Sequence, residues 1–339
     1  MIKYLKELCE LCGPSGKENV VSEYIKDVIS PYCECSFDAM GNLIAFKKGA
    51  NRPAKKVMLD AHTDEVGFIV TSITSDGFLH FTTLGGINTE ALVSKRVQIN
   101  GHIGVIQVKP VHLLKGDDAD NMPDNNNLTI DIGAKDRDDA LKMVNIGDSG
   151  TYYSEFVEFG DGFIKAKALD DRFGCAVLMN IIEQDLPYDM WFSFSTQEEL
   201  GLRGAKTATY SIDPDCAIAV EATTAADLVG VPENKRCCYV GKGAVLSFMD
   251  NATLYDAELY RSALKIADEK GIKVQTKQAV AGGNNAGAIH QSRSGVKTLS
   301  VSIPCRYLHS PSCVVSANDI DSVSDIVREV AIKMCEGNI

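Results

Sequence analysis

Five short apolar segments of this 339-residue sequence are each followed by a histidine or an acidic residue. The segments span residues 57–61, 163–169, 191–196, 216–220 and 299–303, and the residues that follow them are His62, Asp170, Glu198 with Glu199, Glu221 and His309. Apolar runs of this length, bounded by polar residues, predict buried strands. In open α/β sheets, ligand sites form beyond the carboxyl ends of the strands. We therefore expect these side chains to gather at one edge of a sheet.

Taken singly, each of these residues has an ordinary structural explanation. Asp170 and Asp171 are typical of the first turn of a helix, and Glu198 with Glu199 could form an exposed turn. Taken together, two histidines and three or more carboxylates combine nitrogen and oxygen donors. Such a set suits Zn²⁺ or Co²⁺ better than Ca²⁺ or Mg²⁺.

Five ligands exceed the four of a tetrahedral zinc site, but they fit two cations that share one bridging carboxylate. A pair of cations can polarise a carbonyl group and activate the attacking water as hydroxide. One acid, Glu198 or Glu199, then remains to take the proton of that water and return it to the leaving amine. The residues therefore predict a hydrolase that uses two divalent metal ions.

The segments on either side of a β-rich stretch predict the scaffold for this site. Residues 1–30 predict two helices separated by GPSG at 13–16, and beyond residue 162 predicted strands alternate with helices. Such alternation indicates an α/β fold, a mixed sheet sandwiched by helices. Residues 66–162 show short alternating segments broken by Gly, Asn and Asp, which are typical of a small β-rich unit. We expect one domain from residues 1–65 and 163–339, with 66–162 inserted in it and an exposed, mobile loop at 116–127.

The composition excludes several classes of protein. The 34 basic and 46 acidic residues give a net charge of −12, whereas a nucleic-acid-binding protein needs a basic face. No apolar stretch is long enough to cross a bilayer, and the first residues lack the pattern of a signal peptide. We therefore expect a cytoplasmic protein without nucleic-acid or membrane partners, whose 11 cysteines are mostly reduced core residues.

Five segments in this order resemble the tetrahedral aminopeptidase family, which contains glutamyl, leucyl and deblocking aminopeptidases and some members labelled endoglucanase or cellulase M. They are AHTDEVGF at 61–68, KALDDRFG at 167–174, QEELGLRGA at 197–205, EATTAAD at 221–227 and IPCRYLHSP at 303–311. With CGPSG at 12–16, the resemblance covers nearly the whole chain. It implies a zinc-exopeptidase-like catalytic domain and a PDZ-like insertion that forms dimers. In many members, six such dimers build a hollow tetrahedral dodecamer.

The resemblance also implies roles for the matching residues. The implied ligands of one metal are His62, Asp170 and Glu221, and those of the other are Asp170, Glu199 and His309, with Asp170 bridging the two. Glu198 would be the general base. Asp64 would orient the imidazole of His62.

Two positions depart from the pattern of the family. Members vary between Asp and Glu at the position of Glu221, so this residue is acceptable there and affects metal affinity. The segment GGNNAGAIH at 282–290 stands where many members have GGTDAG, which removes an acid from a loop near the substrate pocket. We therefore expect Asn284 and Asn285 to bind substrate and to alter substrate preference without loss of the metals. The sequence leaves open whether Lys242 or Arg306 faces an acidic substrate side chain.

The resulting hypothesis is a dinuclear metallo-aminopeptidase that acts on short peptides with a free N-terminus. A β-glucan glycosidase would need two carboxylates about 5–9.5 Å apart across the sugar, which neighbouring Glu198 and Glu199 do not obviously supply. A metal-dependent deacylase or carboxypeptidase uses related chemistry and is compatible with the same ligands. An inactive peptide-binding assembly protein is supported only by the change at Asn284 and Asn285.

Overall fold

The computed structural model describes residues 1–113 and 128–339 of the chain, so the loop predicted at 116–127 lies outside the described residues. The helices are α1 (Ile2–Glu10), α2 (Asn19–Ile29), α3 (Arg137–Ala140), α4 (Leu169–Ile182), α5 (Arg203–Ile212), α6 (Ala257–Lys270), α7 (Ala286–Ile289) and α8 (Ala317–Cys335). The strands are β1 (Glu34–Phe37), β2 (Leu43–Lys47), β3 (Val57–His62), β4 (Gly67–Ile73), β5 (Leu79–Leu84), β6 (Arg96–Ile99), β7 (His102–Gln107), β8 (Thr129–Asp131), β9 (Ser149–Tyr152), β10 (Val157–Phe159), β11 (Phe163–Ala166), β12 (Met190–Ser195), β13 (Cys216–Thr224), β14 (Ala244–Leu246), β15 (Val274–Thr276), β16 (Lys297–Cys305) and β17 (Cys313–Ser316).

Eight strands form one mixed sheet, in the order β1-β2-β12-β3-β13-β16-β14-β15. Its centre is parallel, because β12, β3, β13 and β16 all run in the same direction. Strands β1 and β2 pair with each other and β2 pairs with β12 in antiparallel fashion, and β14 is antiparallel to β16 but parallel to β15. The carboxyl ends of the four central strands consequently meet at one edge, which is where ligand sites form in such sheets.

Helices cover both faces of this sheet. Strand β3 is buried along its whole length, so its alternate side chains enter two different cores. Leu59 belongs to the large core that includes α1, α4 and α8, whereas Met58 packs in a smaller cluster with α5 and α7. Helix α4 approaches the sheet closely because of Gly174, where a Cβ atom would lie 2.6 Å from the carbonyl oxygen of Val220. The predicted α/β architecture with a mixed sheet is confirmed.

The β-rich stretch contains a closed barrel of six strands, in the order β4-β5-β8-β7-β6-β9. Its interior is a hydrophobic cluster separate from the main core. In that cluster, Phe68 packs edge-on against Tyr152 with ring centroids 5.4 Å apart.

The strands that precede the site differ from expectation in two places, before Asp170 and at Glu221. The sequence predicts a strand through residue 169, but β11 ends at Ala166 in a separate three-stranded sheet with β10 and β17, so Asp170 lies in the first turn of α4. Glu221 lies within β13 because the pairing with β16 continues to Thr224. His309 lies in the loop between β16 and β17. Among the described residues, no helix has the length and apolar character needed to span a membrane.

Candidate functional site

A cavity of about 260 Å³ opens where β3 and β13 end. Six residues predicted from the sequence line it together, namely His62, Asp170, Glu198, Glu199, Glu221 and His309. They come from β3, the start of α4, the turn after β12, strand β13 and the loop after β16. The fold therefore brings distant parts of the chain to one concave, acidic surface.

The carboxylate of Asp170 lies between the two histidines. Its Oδ1 lies 3.3 Å from Nε2 of His62, and its Oδ2 lies 3.4 Å from Nε2 of His309. Nε2 of His309 also lies 3.2 Å from Oε1 of Glu199, and Nε2 of His62 lies 3.7 Å from Oε2 of Glu221. The side chains thus form two groups of three that share Asp170.

Asp171 is an alternative to Asp170 as a candidate metal ligand. Ligand atoms of His62, Asp171 and Glu221 all lie within 4.8 Å of one another. Both oxygens of Asp171 already accept backbone N–H groups, Oδ1 from Gly174 at 2.9 Å and Oδ2 from His62 at 3.3 Å. Burial raises the pKa of Asp171 well above its usual range, and this side chain does not line the cavity. The geometry therefore favours Asp170 as the shared carboxylate.

The second ring nitrogen of each histidine has an oxygen partner. Nδ1 of His62 lies 3.1 Å from the carbonyl oxygen of Asp64 and 3.4 Å from its Oδ1. Nδ1 of His309 lies 2.7 Å from the carbonyl oxygen of Gly86. A proton on Nδ1 that is donated to these oxygens leaves the lone pair of Nε2 directed at the cavity carboxylates, as a metal ligand requires.

Asp64 connects several parts of the site. Its Oδ1 accepts the backbone N–H of Glu198 at 2.9 Å, and its Oδ2 accepts that of Glu199 at 3.1 Å. The hydroxyl of Ser15 donates to Oδ2 at 2.6 Å. Burial raises the pKa of Asp64, but its contacts with His62 and these donors outweigh burial and leave the pKa below its usual value. An ionised Asp64 thus positions His62 together with both glutamates.

Glu198 is the cavity acid best suited to proton transfer. Burial, the largest effect, raises its pKa to about 8, the attraction of His62 opposes this, and repulsion from Glu199 and Asp170 adds to it. Divalent cations beside it would lower the value. A carboxyl group whose pKa lies near neutrality can both accept and return a proton.

The donor set of the cavity fits divalent cations. Among the described residues, the lining carboxylates have no lysine or arginine at ion-pair distance, and their only such partners are His62 and His309. Buried carboxylates without cationic partners are costly. Mixed imidazole and carboxylate donors suit Zn²⁺ or Co²⁺.

The two asparagines predicted to bind substrate have different surroundings. Asn284 lines the cavity, whereas Asn285 is fully buried and does not. The amide nitrogen of the Asn285 side chain donates to Oδ2 of Asp60 at 2.8 Å and to Oγ of Ser195 at 2.9 Å. Its backbone N–H lies 3.4 Å from Oε1 of Glu221. Asn284 therefore lines the cavity, whereas Asn285 lies outside it and its backbone N–H contacts the carboxylate of Glu221.

The basic residue that lines the cavity is neither of the two named from the sequence, Lys242 and Arg306. Arg306 makes two hydrogen bonds, of 2.7 and 2.8 Å, to the carboxylate of Asp227, and Lys242 is exposed and does not line the cavity. The lysine that does line it is Lys277. No motif or spacing in the sequence marks Lys277, because its position follows from the tertiary fold alone.

A buried group of charges behind the site was also missed. Nζ of Lys167 lies 2.7 and 2.8 Å from Oε1 and Oε2 of Glu65, and the guanidinium of Arg172 lies 3.2 Å from Oε1. These residues lie within three positions of His62 or Asp170 in the sequence. Opposite charges next to the candidate ligands therefore indicate a buried ion pair, although the sequence alone does not distinguish these acids from ligands.

Comparison with known proteins agrees with this geometry. The sequence profile of the M42 glutamyl aminopeptidase family matches residues 41–326. A protein of Acetivibrio thermocellus is 38% identical over 334 residues, which cover 97% of this chain and 98% of that protein. The structure of a TET aminopeptidase from a marine Thaumarchaeota archaeon superposes with a TM-score of 0.94 at 33% identity, covering 100% of this chain and 98% of the other. A TET peptidase of Pyrococcus horikoshii, described as assembling into a tetrahedron or a large octahedral shell, has a TM-score of 0.85 at 31% identity, with coverages of 97% and 98%. Since the family profile and these relatives extend over most or all of the sequence, the chain belongs to the M42 family of aminopeptidases.

Proposed function

We propose that this aminopeptidase removes N-terminal residues from short peptides with two divalent metal ions, Zn²⁺ or Co²⁺, in each subunit. The observation that carries the proposal is the Asp170 carboxylate, whose two oxygens face Nε2 of His62 and Nε2 of His309 inside an acidic cavity. A carboxylate with one oxygen directed at each of two imidazoles has the geometry of a ligand that bridges two cations.

The candidate ligands divide into two sets around this carboxylate. One set is His62, Asp170 and Glu221, and the other is Asp170, Glu199 and His309. When bound, two divalent ions supply Lewis acidity toward the scissile carbonyl and lower the pKa of water. The buried Asp64 keeps His62 and Glu199 in place for that role.

Glu198 is proposed to carry the proton. It lines the same cavity. Asp64 accepts the backbone N–H of Glu198, and this contact does not involve the carboxyl group of Glu198. A carboxylate at this position can take a proton from the attacking water and deliver it to the leaving amine. The free α-amine of the peptide would be attracted by the carboxylate-rich wall of the cavity.

The remaining proposals concern the organisation of the chain. We propose that residues 66–162 form a PDZ-like inserted domain that mediates dimer formation, and that residues 1–65 with 163–339 form the catalytic domain. The six-stranded barrel and its separate hydrophobic cluster support the division. Six dimers in a tetrahedral dodecamer and a cytoplasmic location are proposed from the likeness to the TET peptidases.

The function can be tested by hydrolysis of aminoacyl-p-nitroanilides. The protein would be assayed after chelation, after Zn²⁺ or Co²⁺ is restored, and with N-acetylated substrates as controls. We expect metal-dependent cleavage of the free-amine substrates only. Release of p-nitroaniline from the acetylated substrates would show that the enzyme does not require a free α-amine, and the absence of any cleavage with two metals bound would refute the proposal.

The role of Glu198 has its own test. The Glu198→Gln variant should keep both metals and lose roughly 10²–10⁴-fold in kcat, because it cannot accept a proton. The exposed Glu233 provides a matched control, since Glu233→Gln makes the same change away from the cavity. Undiminished turnover in a metal-replete Glu198→Gln variant would show that another group carries the proton.

A further inference from the structure

The segment GPSG at 13–16 has no part in the mechanism proposed above. In the fold it pairs with the residues that follow β3. The carbonyl oxygen of Gly13 accepts the backbone N–H of Glu65 at 3.1 Å, and the carbonyl oxygen of Glu65 accepts that of Ser15 at 3.3 Å. The hydroxyl of Ser15 donates to Oδ2 of Asp64 at 2.6 Å. This N-terminal segment is therefore attached directly to the base of the site.

Glu18, which closely follows this segment, is a buried acid without a cationic partner. Its residue surface is 4% exposed, and within the described part of the chain no lysine, arginine or histidine is paired with it. It stands immediately before helix α2, where an acid often caps the helix, but its side chain makes no capping hydrogen bond. Burial raises the pKa of Glu18, so its carboxylate depends on hydrogen-bond donors.

Two backbone N–H groups donate to the carboxylate of Glu18. Its Oε1 accepts the N–H of Gly16 at 2.7 Å and the N–H of Gln197 at 3.1 Å. The first contact is local, whereas the second joins residues 179 positions apart. Gln197 directly precedes Glu198 and Glu199 in the turn after β12. Glu18 therefore holds the backbone of the turn that carries both glutamates.

Three consecutive N–H groups of this turn are held by two buried carboxylates. The N–H of Gln197 donates to Glu18, and those of Glu198 and Glu199 donate to Oδ1 and Oδ2 of Asp64. Runs of backbone N–H groups in turns are natural partners for anions. Because the backbone is fixed at three successive residues, the direction in which the two glutamate side chains leave it is fixed as well.

The backbone of Gln197 needs this support more than that of its neighbours. Its φ is +53°, in the left-handed region that favours glycine. A residue with a side chain stays in that region only where surrounding contacts hold it there. Its carbonyl oxygen accepts the N–H of Arg203 at 3.2 Å, and its own N–H is accepted by Glu18. Loss of Glu18 would release one of these two backbone contacts.

We propose that Glu18 is a positioning residue that sets where Glu198 and Glu199 lie in the cavity. This inference rests on the proposed function and adds a residue that acts on it from outside. Glu18 does not line the cavity, so it acts through the backbone of Gln197. A displaced turn would misplace the group that carries the proton and one candidate metal ligand together. Supporting residues of this kind change metal affinity or activity by roughly 10–100-fold.

The first test is kinetic. Glu18→Ala, once metal-replete, should lower kcat on an aminoacyl-p-nitroanilide roughly 10–100-fold and change KM little, because the rest of the cavity wall is retained. Asp319→Ala is the matched control and should leave kcat unchanged. Asp319 is also buried and accepts the backbone N–H groups of Gly241 and Gly243, at 2.6 and 2.7 Å, outside the cavity. Undiminished kcat in a folded Glu18→Ala variant, or an equal loss in both variants, would overturn the inference.

Two conservative variants separate the contact from the charge, and they keep the test valid if Glu18→Ala fails to fold. Glu18→Gln keeps the length of the side chain and an oxygen acceptor, so it should retain most of the kcat. Glu18→Asp keeps the charge but is one methylene shorter, so it should lose contact with Gln197 and lose kcat. The reverse order of activities would show that the charge at this position matters rather than the position of the turn, and would overturn the inference.

Metal binding gives a readout that needs no turnover. Glu199 is a candidate ligand of only one of the two ions, so competition titration of Zn²⁺ against a chromophoric chelator should show one of two affinities lowered roughly 10–100-fold in Glu18→Ala. Wild-type affinity for both ions would contradict the inference. If the unaltered, metal-replete protein cleaves no aminoacyl-p-nitroanilide, the proposed function fails, and this titration still tests Glu18. If it cleaves them and Glu18→Ala is equally active, the function stands and the positioning role fails.

Discussion

Replacing Asn285 by Asp would place two carboxylates side by side beneath the cavity. The side-chain amide of Asn285 donates to Oδ2 of Asp60 at 2.8 Å and to Oγ of Ser195 at 2.9 Å. Asp60 is fully buried, and burial raises its pKa to about 6, although hydrogen bonds from Asn285 and Ser195 oppose that rise. At pH 8 Asp60 is therefore ionised and depends on the amide donor.

The magnitude follows from the two hydrogen bonds that would be lost. The bond to the ionised Asp60 is worth about 1.5–3 kcal/mol, and the bond to the Ser195 hydroxyl is worth about 0.5–1.5 kcal/mol. Repulsion between the two carboxylates adds to this loss until one of them takes up a proton. We expect Asn285→Asp to lower the free energy of unfolding by about 3–5 kcal/mol at pH 8. The loss should be smaller at pH 5, where a protonated acid can donate one hydrogen bond to the other.

Urea denaturation followed by far-ultraviolet circular dichroism, at pH 8 and pH 5, measures this effect. Asn284→Asp is the matched control, since it makes the same chemical change at the next residue. The amide of Asn284 contacts the hydroxyls of Tyr255 and Ser300, and the hydroxyl of Ser300 can rotate to donate to a carboxylate. We expect the control to cost less than about 1 kcal/mol.

A double variant tests whether the cause is the pair itself. Asp60→Asn combined with Asn285→Asp exchanges donor and acceptor and restores one amide–carboxylate hydrogen bond. The two substitutions should therefore be non-additive by about 2 kcal/mol or more, the size expected for contacting polar residues. Wild-type stability of Asn285→Asp at pH 8, or strict additivity in the double variant, would refute the reasoning.

Two further predictions concern charges around the site. Burial lowers the pKa of His309, but the hydrogen bonds with Asp170 and Glu199 prevail and raise it to about 11, and the pKa of His62 is likewise raised. Because a metal ligand must be unprotonated, Zn²⁺ binding should release protons and its apparent affinity should rise from pH 6 to pH 8. Titration calorimetry in buffers of different ionisation enthalpy measures this release, and a value of zero would contradict the assignment. The substitution Glu65→Gln would remove the counter-charge of a buried lysine and arginine and should cost about 3–5 kcal/mol of stability. Urea denaturation checks this, and unchanged stability would show that those cations have other partners.

The sequence alone predicts the α/β scaffold and the six cavity-lining residues that follow its apolar segments. This succeeds because strand burial and strand ends are local properties, and central strands such as β3 and β13 run parallel, so their carboxyl ends coincide. Asp64, two residues after His62, is indicated only by the resemblance to the aminopeptidase family. What local patterns cannot show is the partner of each strand. The segment before Asp170 belongs to a second sheet, and the acid reaches the cavity from the start of α4 instead.

Asn285 shows a second limit of sequence reasoning. At this position many members of the family have an acid and this chain has an amide. Because the loop is near the substrate pocket, that difference suggests altered substrate binding. The side chain instead turns away from the cavity to a carboxylate on β3. Asp60 and Asn285 lie 225 positions apart, so only the fold reveals that the amide at one position suits the acid at the other.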